Sequence, residues 1–187
     1  MFEALGIAIA LGFIVGLISG GRAKNLSTIE VRFVPVAIAS AVIALLPLFV
    51  SVPAGPRRAI QILTMLGVLA FLVANLRASR GVLRAGLIVL AIGWALNFTV
   101  IAANGAMPLS LWAYERSGLT ETPTPGEGGF FKLEIADDST VLKPLGDVIP
   151  FRPLSKVFSP GDLFLIAGVA VFIAAGTKVP GEASRPG

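Results

Sequence analysis

Long uncharged apolar runs alternate with short clusters of charge along this chain. Five runs stand out: Ala4 to Gly21, Phe33 to Pro56, Ala59 to Leu76, a run from Ala85 that loses helical character near Asn104, and Leu163 to Thr177. A helix needs roughly 20 apolar residues to cross a bilayer. The first four runs meet that length. The fifth must borrow Pro160–Asp162 at its start and Lys178 at its end. The pattern predicts an all-α integral membrane protein with about five transmembrane helices, near residues 4–21, 33–52, 59–76, 85–103 and 160–177.

Breakers divide these runs. Pro35 suits a first helical turn, Pro47 predicts a kink, and Pro53 ends the second helix in a tight turn that pairs it with the third. Residues 104–159 form a long segment between the fourth and fifth helices. Asn104 and Gly105 stop the fourth helix, and Pro108 prevents its resumption. Ser110 is placed to cap a short helix through LWAYERS, with Gly118 as its stop. Thr120–Gly129 is turn-rich and predicted to be exposed. In FFKLEIA, Phe131, Leu133 and Ile135 alternate with Lys132 and Glu134, which predicts a short half-buried strand, either one arm of a hairpin or a segment lying on the membrane surface. Pro144, Pro150 and Pro153 forbid a regular helix, so Leu145, Val148, Ile149 and Phe151 are expected to press on the mouth of the helix bundle. SPGD reads as a helix start: Ser159 as cap, Pro160 in the first turn, and Asp162 returning a capping bond.

Charge fixes the predicted orientation. Arg22, Lys24, Arg32, Arg77, Arg80, Arg84, Lys178 and Arg185 fall on one side of the spans; only Arg57 and Arg58 fall in short loops on the other. Positive residues stay in the cytoplasm. The N-terminus is therefore expected outside, segment 104–159 outside, and the tail 178–187 inside. Glu3 precedes the first apolar run and the first basic residues follow it, so this run reads as a retained helix instead of a cleaved signal.

Composition sharpens this picture. Of 187 residues, 55% are hydrophobic and only 14% charged, and the mean hydropathy is +0.86. No cysteine and no histidine occur. Disulfides, thiolate clusters, the usual haem and zinc ligands and the commonest general base are thereby removed. The basic residues orient helices here, and nucleic acid is not an expected partner.

Candidate chemistry is sparse. The predicted spans carry Ser40, Gln61, Thr64, Asn75, Asn97 and Thr99 but no charge, which argues against a proton-coupled pump. Asn97 is the leading polar contact between helices. Gly12, Gly16 and Gly20 repeat at four-residue spacing, which suits close approach by a helix of this chain, a partner subunit or a second copy. Asp137 and Asp138 form an adjacent acidic pair that can bind a cation, but in DDST they read as a turn or helix cap. Asp147 either caps backbone amides or lines an external pocket with Arg152 as counter-charge, and Asn104 stands at the same mouth.

NGAMP, LGDVIP and SPGD occur in that order before a final apolar helix. In these motifs the sequence resembles a family of small bacterial integral membrane proteins catalogued only as a domain of unknown function. The family pattern reads NGGMP, so Ala106 is a departure. The resemblance covers most of the chain. It implies a bacterial cytoplasmic membrane and supplies no activity, cofactor or catalytic residue.

The expected role is accordingly a non-catalytic accessory or scaffold subunit, with the lipid bilayer and a membrane protein or second copy as partners. The alternative is a carrier for a small lipophilic molecule entering near Asn104 and Asp147. A membrane enzyme using Asp137, Asp138, Asp147 or Asp162 would lack a histidine or cysteine to complete its constellation.

Overall fold

The computed structural model describes residues 2–45, 50, 54–119 and 133–178. The kink expected at Pro47, the helix end at Pro53, the stretch Thr120–Gly129, the Phe131 and Lys132 half of the predicted strand, and the tail beyond Lys178 lie outside them. Helices dominate: α1 (Phe2–Ile18), α2 (Val34–Leu45), α3 (Ala54–Ala78), α4 (Gly81–Asn104), the short α5 (Leu111–Arg116) and α6 (Pro160–Gly176). Three-residue strands accompany them: β1 (Met107–Leu109), β2 (Leu133–Ile135), β3 (Ile149–Phe151) and β4 (Lys156–Phe158).

Two segments, Arg58–Ala78 in α3 and Gly81–Asn104 in α4, are long and apolar enough to cross a membrane. Only 28% of each apolar window is buried within the protein. A core helix of a soluble protein would hide most of such a surface, whereas Leu63, Leu66, Val82, Ile88 and Ile92 stand exposed. The chain thus has the surface of a protein located in a membrane.

The helices stand in the order α1–α6–α4–α3–α2. Packing is most extensive between α4 and α6, then between α1 and α6 and between α2 and α3; the α3–α4 contact is lighter. Glycines make the α4–α6 seam possible. Gly86 and Gly93 on α4 oppose Gly161 and Gly168 on α6, each pair spaced to repeat on one face. A Cβ at Gly93 would lie 2.5 Å from the Gly161 carbonyl oxygen, and one at Gly168 would lie 2.5 Å from the Leu90 nitrogen. The backbones touch, and association here rests on close packing.

The glycine face of α1 meets α6 of the same chain. Gly12 lies against Ala170 and Ile173, and Gly16 against Ala174 and Thr177. Gly20 departs from the expected stripe. Its φ of +84° places it in the left-handed turn that ends α1, with no neighbouring atom where a Cβ would sit. Gly21 abuts Thr177 instead. The turn is locked when Arg22 N and Asn25 Nδ2 both donate to the Thr177 carbonyl at 2.7 Å.

The α2–α3 hairpin is closed by Asn75. Its amide donates to the Arg32 carbonyl at 2.9 Å and accepts from Arg32 N at 2.9 Å. These links gather Arg22, Lys24, Arg32, Arg77, Arg80, Arg84 and Lys178 at one end of the helices.

The other end carries a small cap. Gly105, left-handed at φ +79°, stops α4 and donates to the Ile101 carbonyl at 2.7 Å. The chain then runs into β1, which pairs with β2 in parallel, Met107 opposite Leu133. On its other edge Asp147 N donates to Pro108 O at 2.8 Å and Ser110 N donates to Asp147 O at 2.9 Å. The β3–β4 hairpin pairs Ile149 with Phe158. A strand is therefore present over Leu133–Ile135 of FFKLEIA, but Glu134 and Ile135 are both exposed where half-burial was expected, and its partner is β1 and not a hairpin arm. Leu145 does press on the helix ends, packing against Met65, Val100, Ile101 and Met107. Phe151 does not: it is 42% exposed.

Candidate functional site

The densest polar arrangement lies where α4 ends and α6 begins. Ser159 Oγ accepts from Asp162 N at 3.0 Å, and Asp162 Oδ2 accepts from Ser159 N at 3.0 Å. With Pro160 in the first turn, this is the capping box read from SPGD. Asn97 on α4 then clasps it. Its Nδ2 donates to Asp162 Oδ1 at 2.8 Å, and its Oδ1 accepts from Ser159 Oγ at 2.9 Å. Gly161 leaves the space for this amide, since a Cβ there would collide with Asn97 Oδ1. Both Asp162 oxygens and both ends of the Asn97 amide are thus engaged.

Asp147 stands beside this clasp, partly buried and fixed by its two backbone bonds to β1 and to Ser110. Burial, and then the negative charge of Asp162, pushes its carboxyl up to about 8. A carboxyl in this state holds its proton at neutral pH. Arg152, the expected counter-charge, does not pair with it among the described residues. It is exposed in the turn after β3, with its stem beside Gly118. The amide-capping role expected of Asp147 also finds no hydrogen bond from its carboxyl among the described residues.

Asn104 is committed to the fold. Its Nδ2 donates to the carbonyls of Val100 at 2.8 Å and Val141 at 2.9 Å, and its Oδ1 accepts from Val141 N at 2.9 Å. It pairs with Val141 as a strand backbone would and so pins the cap to α4. An open cleft of about 210 Å³ lies beside it, lined by Ala106, Glu134, Asp137 and Thr140 among others. A second cleft, about 390 Å³, lies across β1 and is lined by Ser110, Leu111, Lys143 and Pro144. Asp147, Arg152 and Asn97 line neither.

The paired acids behave as a turn. Asp137 Oδ1 accepts from Ser139 Oγ at 2.7 Å and Ser139 N at 2.9 Å. These bonds, the hydroxyl first, hold its carboxyl below the usual range. Asp138 forms an exposed ion pair with Lys143 at 3.7 Å. Among the described residues no group of three acidic side chains converges on a point where a metal would sit.

Two features escaped sequence reasoning: the bond from Ser159 to Asn97 and the α4–α6 glycine seam. The seam has a visible signal, since Gly86 and Gly93 repeat at the same interval as Gly161 and Gly168.

Two apolar helices of membrane length, α3 and α4, with the shorter α6 seamed to α4 by glycines and a small cap at one end, define a helical protein with a membrane location. Residues 24–174 match the model of DUF5317, a family of unknown function, and the chain belongs to that family. No curated protein and no solved structure matches it.

Proposed function

We propose that this protein is a five-span integral membrane protein of the bacterial cytoplasmic membrane, acting as a non-catalytic accessory or scaffold subunit. In this reading α1, α2 and α6 cross together with α3 and α4. The basic end faces the cytoplasm and the cap faces outward, by the positive-inside rule.

The observation that carries the reading is the open order of the helices. Among the described elements α2 has extensive packing only with α3, and α1 only with α6. Long apolar flanks remain for lipid or for another membrane protein. Asn97 and Asn104, the polar side chains nearest an outer entrance, are spent on internal hydrogen bonds, which supports a structural role over a transport path.

Native mass spectrometry from a mild detergent tests this. The expected result is a complex of fixed stoichiometry with a second membrane protein. Release of the chain alone would overturn the accessory reading, and a bound small-molecule mass would favour a carrier for a lipophilic ligand.

A further inference from the structure

The solvent arc of α5 has the wrong composition for water. Ala113 and Ser117 turn inward and are fully buried, while Leu111 and Trp112 are 47% and 54% exposed. Arg116 lies one helical turn beyond Trp112, with its guanidinium carbon 4.7 Å from the indole centroid. Glu115 shares the arc. Phe151, also exposed, and Arg152 follow on β3 and the turn after it, and the Arg152 stem lies beside Gly118, two residues past Arg116. Neither arginine has a carboxylate partner among the described residues, where the ion pair is Lys143 with Asp138.

Position gives this patch its meaning. α5 packs on β3 and β4, and β4 runs through Phe158 directly into Ser159, the cap of α6. The patch therefore stands level with the point where α6 begins. At such a level a tryptophan, a leucine and two guanidinium groups without carboxylate partners among the described residues, one of them stacked on the indole, match the chemistry of a lipid headgroup layer. Guanidinium binds phosphate oxygens in a two-pronged fashion that ammonium does not.

We propose that Trp112, Arg116 and Arg152 form an interfacial site for the phosphate of an anionic phospholipid in the outer leaflet. Leu111 and Trp112 enter the acyl boundary and the arginines hold the headgroup. The site rests on the membrane reading given above, because it needs the cap to lie against a bilayer.

The test uses the full chain in nanodiscs of zwitterionic phosphatidylcholine, alone or mixed with phosphatidylglycerol, with one lipid brominated near the headgroup to reach Trp112 or at mid-chain to reach Trp94, which lies near the middle of α4. Trp94→Phe leaves Trp112 as the fluorophore, and Trp112→Phe leaves Trp94 in α4. Brominated phosphatidylglycerol should quench Trp112 more strongly than brominated phosphatidylcholine. Native mass spectrometry of the unmutated chain should show preferential retention of phosphatidylglycerol, reduced about fivefold by Arg116→Gln and again by Arg152→Gln. Equal quenching by both lipids, or unchanged retention in both variants, would overturn the site. Quenching of Trp94 with none of Trp112 would overturn it while leaving the membrane reading intact, and would point to a protein covering the patch. Quenching of neither tryptophan would overturn both.

Discussion

Asn97 of α4 donates to Asp162 of α6 across 2.8 Å, and the same amide accepts from Ser159. One neutral side chain thereby serves as donor to a carboxylate and acceptor to a hydroxyl. Asn97→Leu leaves the Ser159 hydroxyl proton without an acceptor and one Asp162 oxygen without a donor, although Ser159 Oγ still accepts from Asp162 N, a loss of about 1–3 kcal/mol. Asn97→Asp keeps the shape but sets a second carboxyl against Asp162. Unfolding in detergent should rank Asn97→Asp below Asn97→Leu, and both below the parent. Equal stability of all three would show that the clasp does not hold the helix ends.

The glycine seams predict a sharp contrast among substitutions of one kind. A Cβ at Gly168 meets the Leu90 backbone, and one at Gly16 meets Thr177 and Ala174, whereas one at Gly6 meets nothing within 4 Å. Gly168→Ala and Gly16→Leu should each cost about 2 kcal/mol or more through forced separation of backbones. Gly6→Ala should be neutral, or stabilising by about 0.5–1 kcal/mol through helix propensity. Denaturation in mixed micelles measures all three, and a Gly168→Ala protein as stable as Gly6→Ala would remove the seam as a source of stability.

Orientation is tested separately from assembly. The structure gathers Arg22, Arg32, Arg77, Arg80, Arg84 and Lys178 at one end, and the positive-inside rule predicts that this end faces the cytoplasm. A reporter fused after Gly187 should be active only if it reads cytoplasmic location, and one inserted after Gly118 only if it reads the outer side. A fusion after Gly187 that is active outside would mean that α6 does not cross.

What the sequence made legible follows from range. The apolar runs, the stop at Gly105, the Ser110 cap and the Ser159–Asp162 capping box depend on neighbours within a few residues, and each is found. The β1 strand was hidden because Met-Pro-Leu is too short to show a period, and its partner Leu133–Ile135 comes from a distant segment. Asn104 reads locally as a helix stop, yet its side chain pairs with Val141, which no local pattern reveals. Gly20 follows the Gly12–Gly16 spacing in sequence but falls past the helix end, where spacing no longer implies a face. The elevated carboxyl at Asp147 could not be read at all, because it depends first on burial by distant segments and then on Asp162 being brought alongside.

That carboxyl makes the last prediction. Its pKa is about 8 in the folded protein and about 4 when the chain is unfolded. Between those values the folded state binds the proton and the unfolded state does not, so stability falls as pH rises. The contribution is fully present below about pH 4, is lost progressively on the way to about pH 8, and is level above that. Its ceiling is about 5 kcal/mol, reduced by whatever water reaches the group. Asp147→Asn has the shape of the protonated acid and cannot ionise. It should match the parent at pH 4–5, exceed it at pH 8–9, and flatten the profile between, while Arg152→Gln leaves the profile as it is. Asp147→Ala should also flatten the profile but sit lower throughout, because the space beside the clasp is left unfilled. Thermal unfolding of the four purified proteins across that range decides the matter. A parent-like slope retained in Asp147→Asn would place the titrating group elsewhere, and an Asn variant that folds normally yet releases a bound molecule would return Asp147 to the role of a ligand-binding charge.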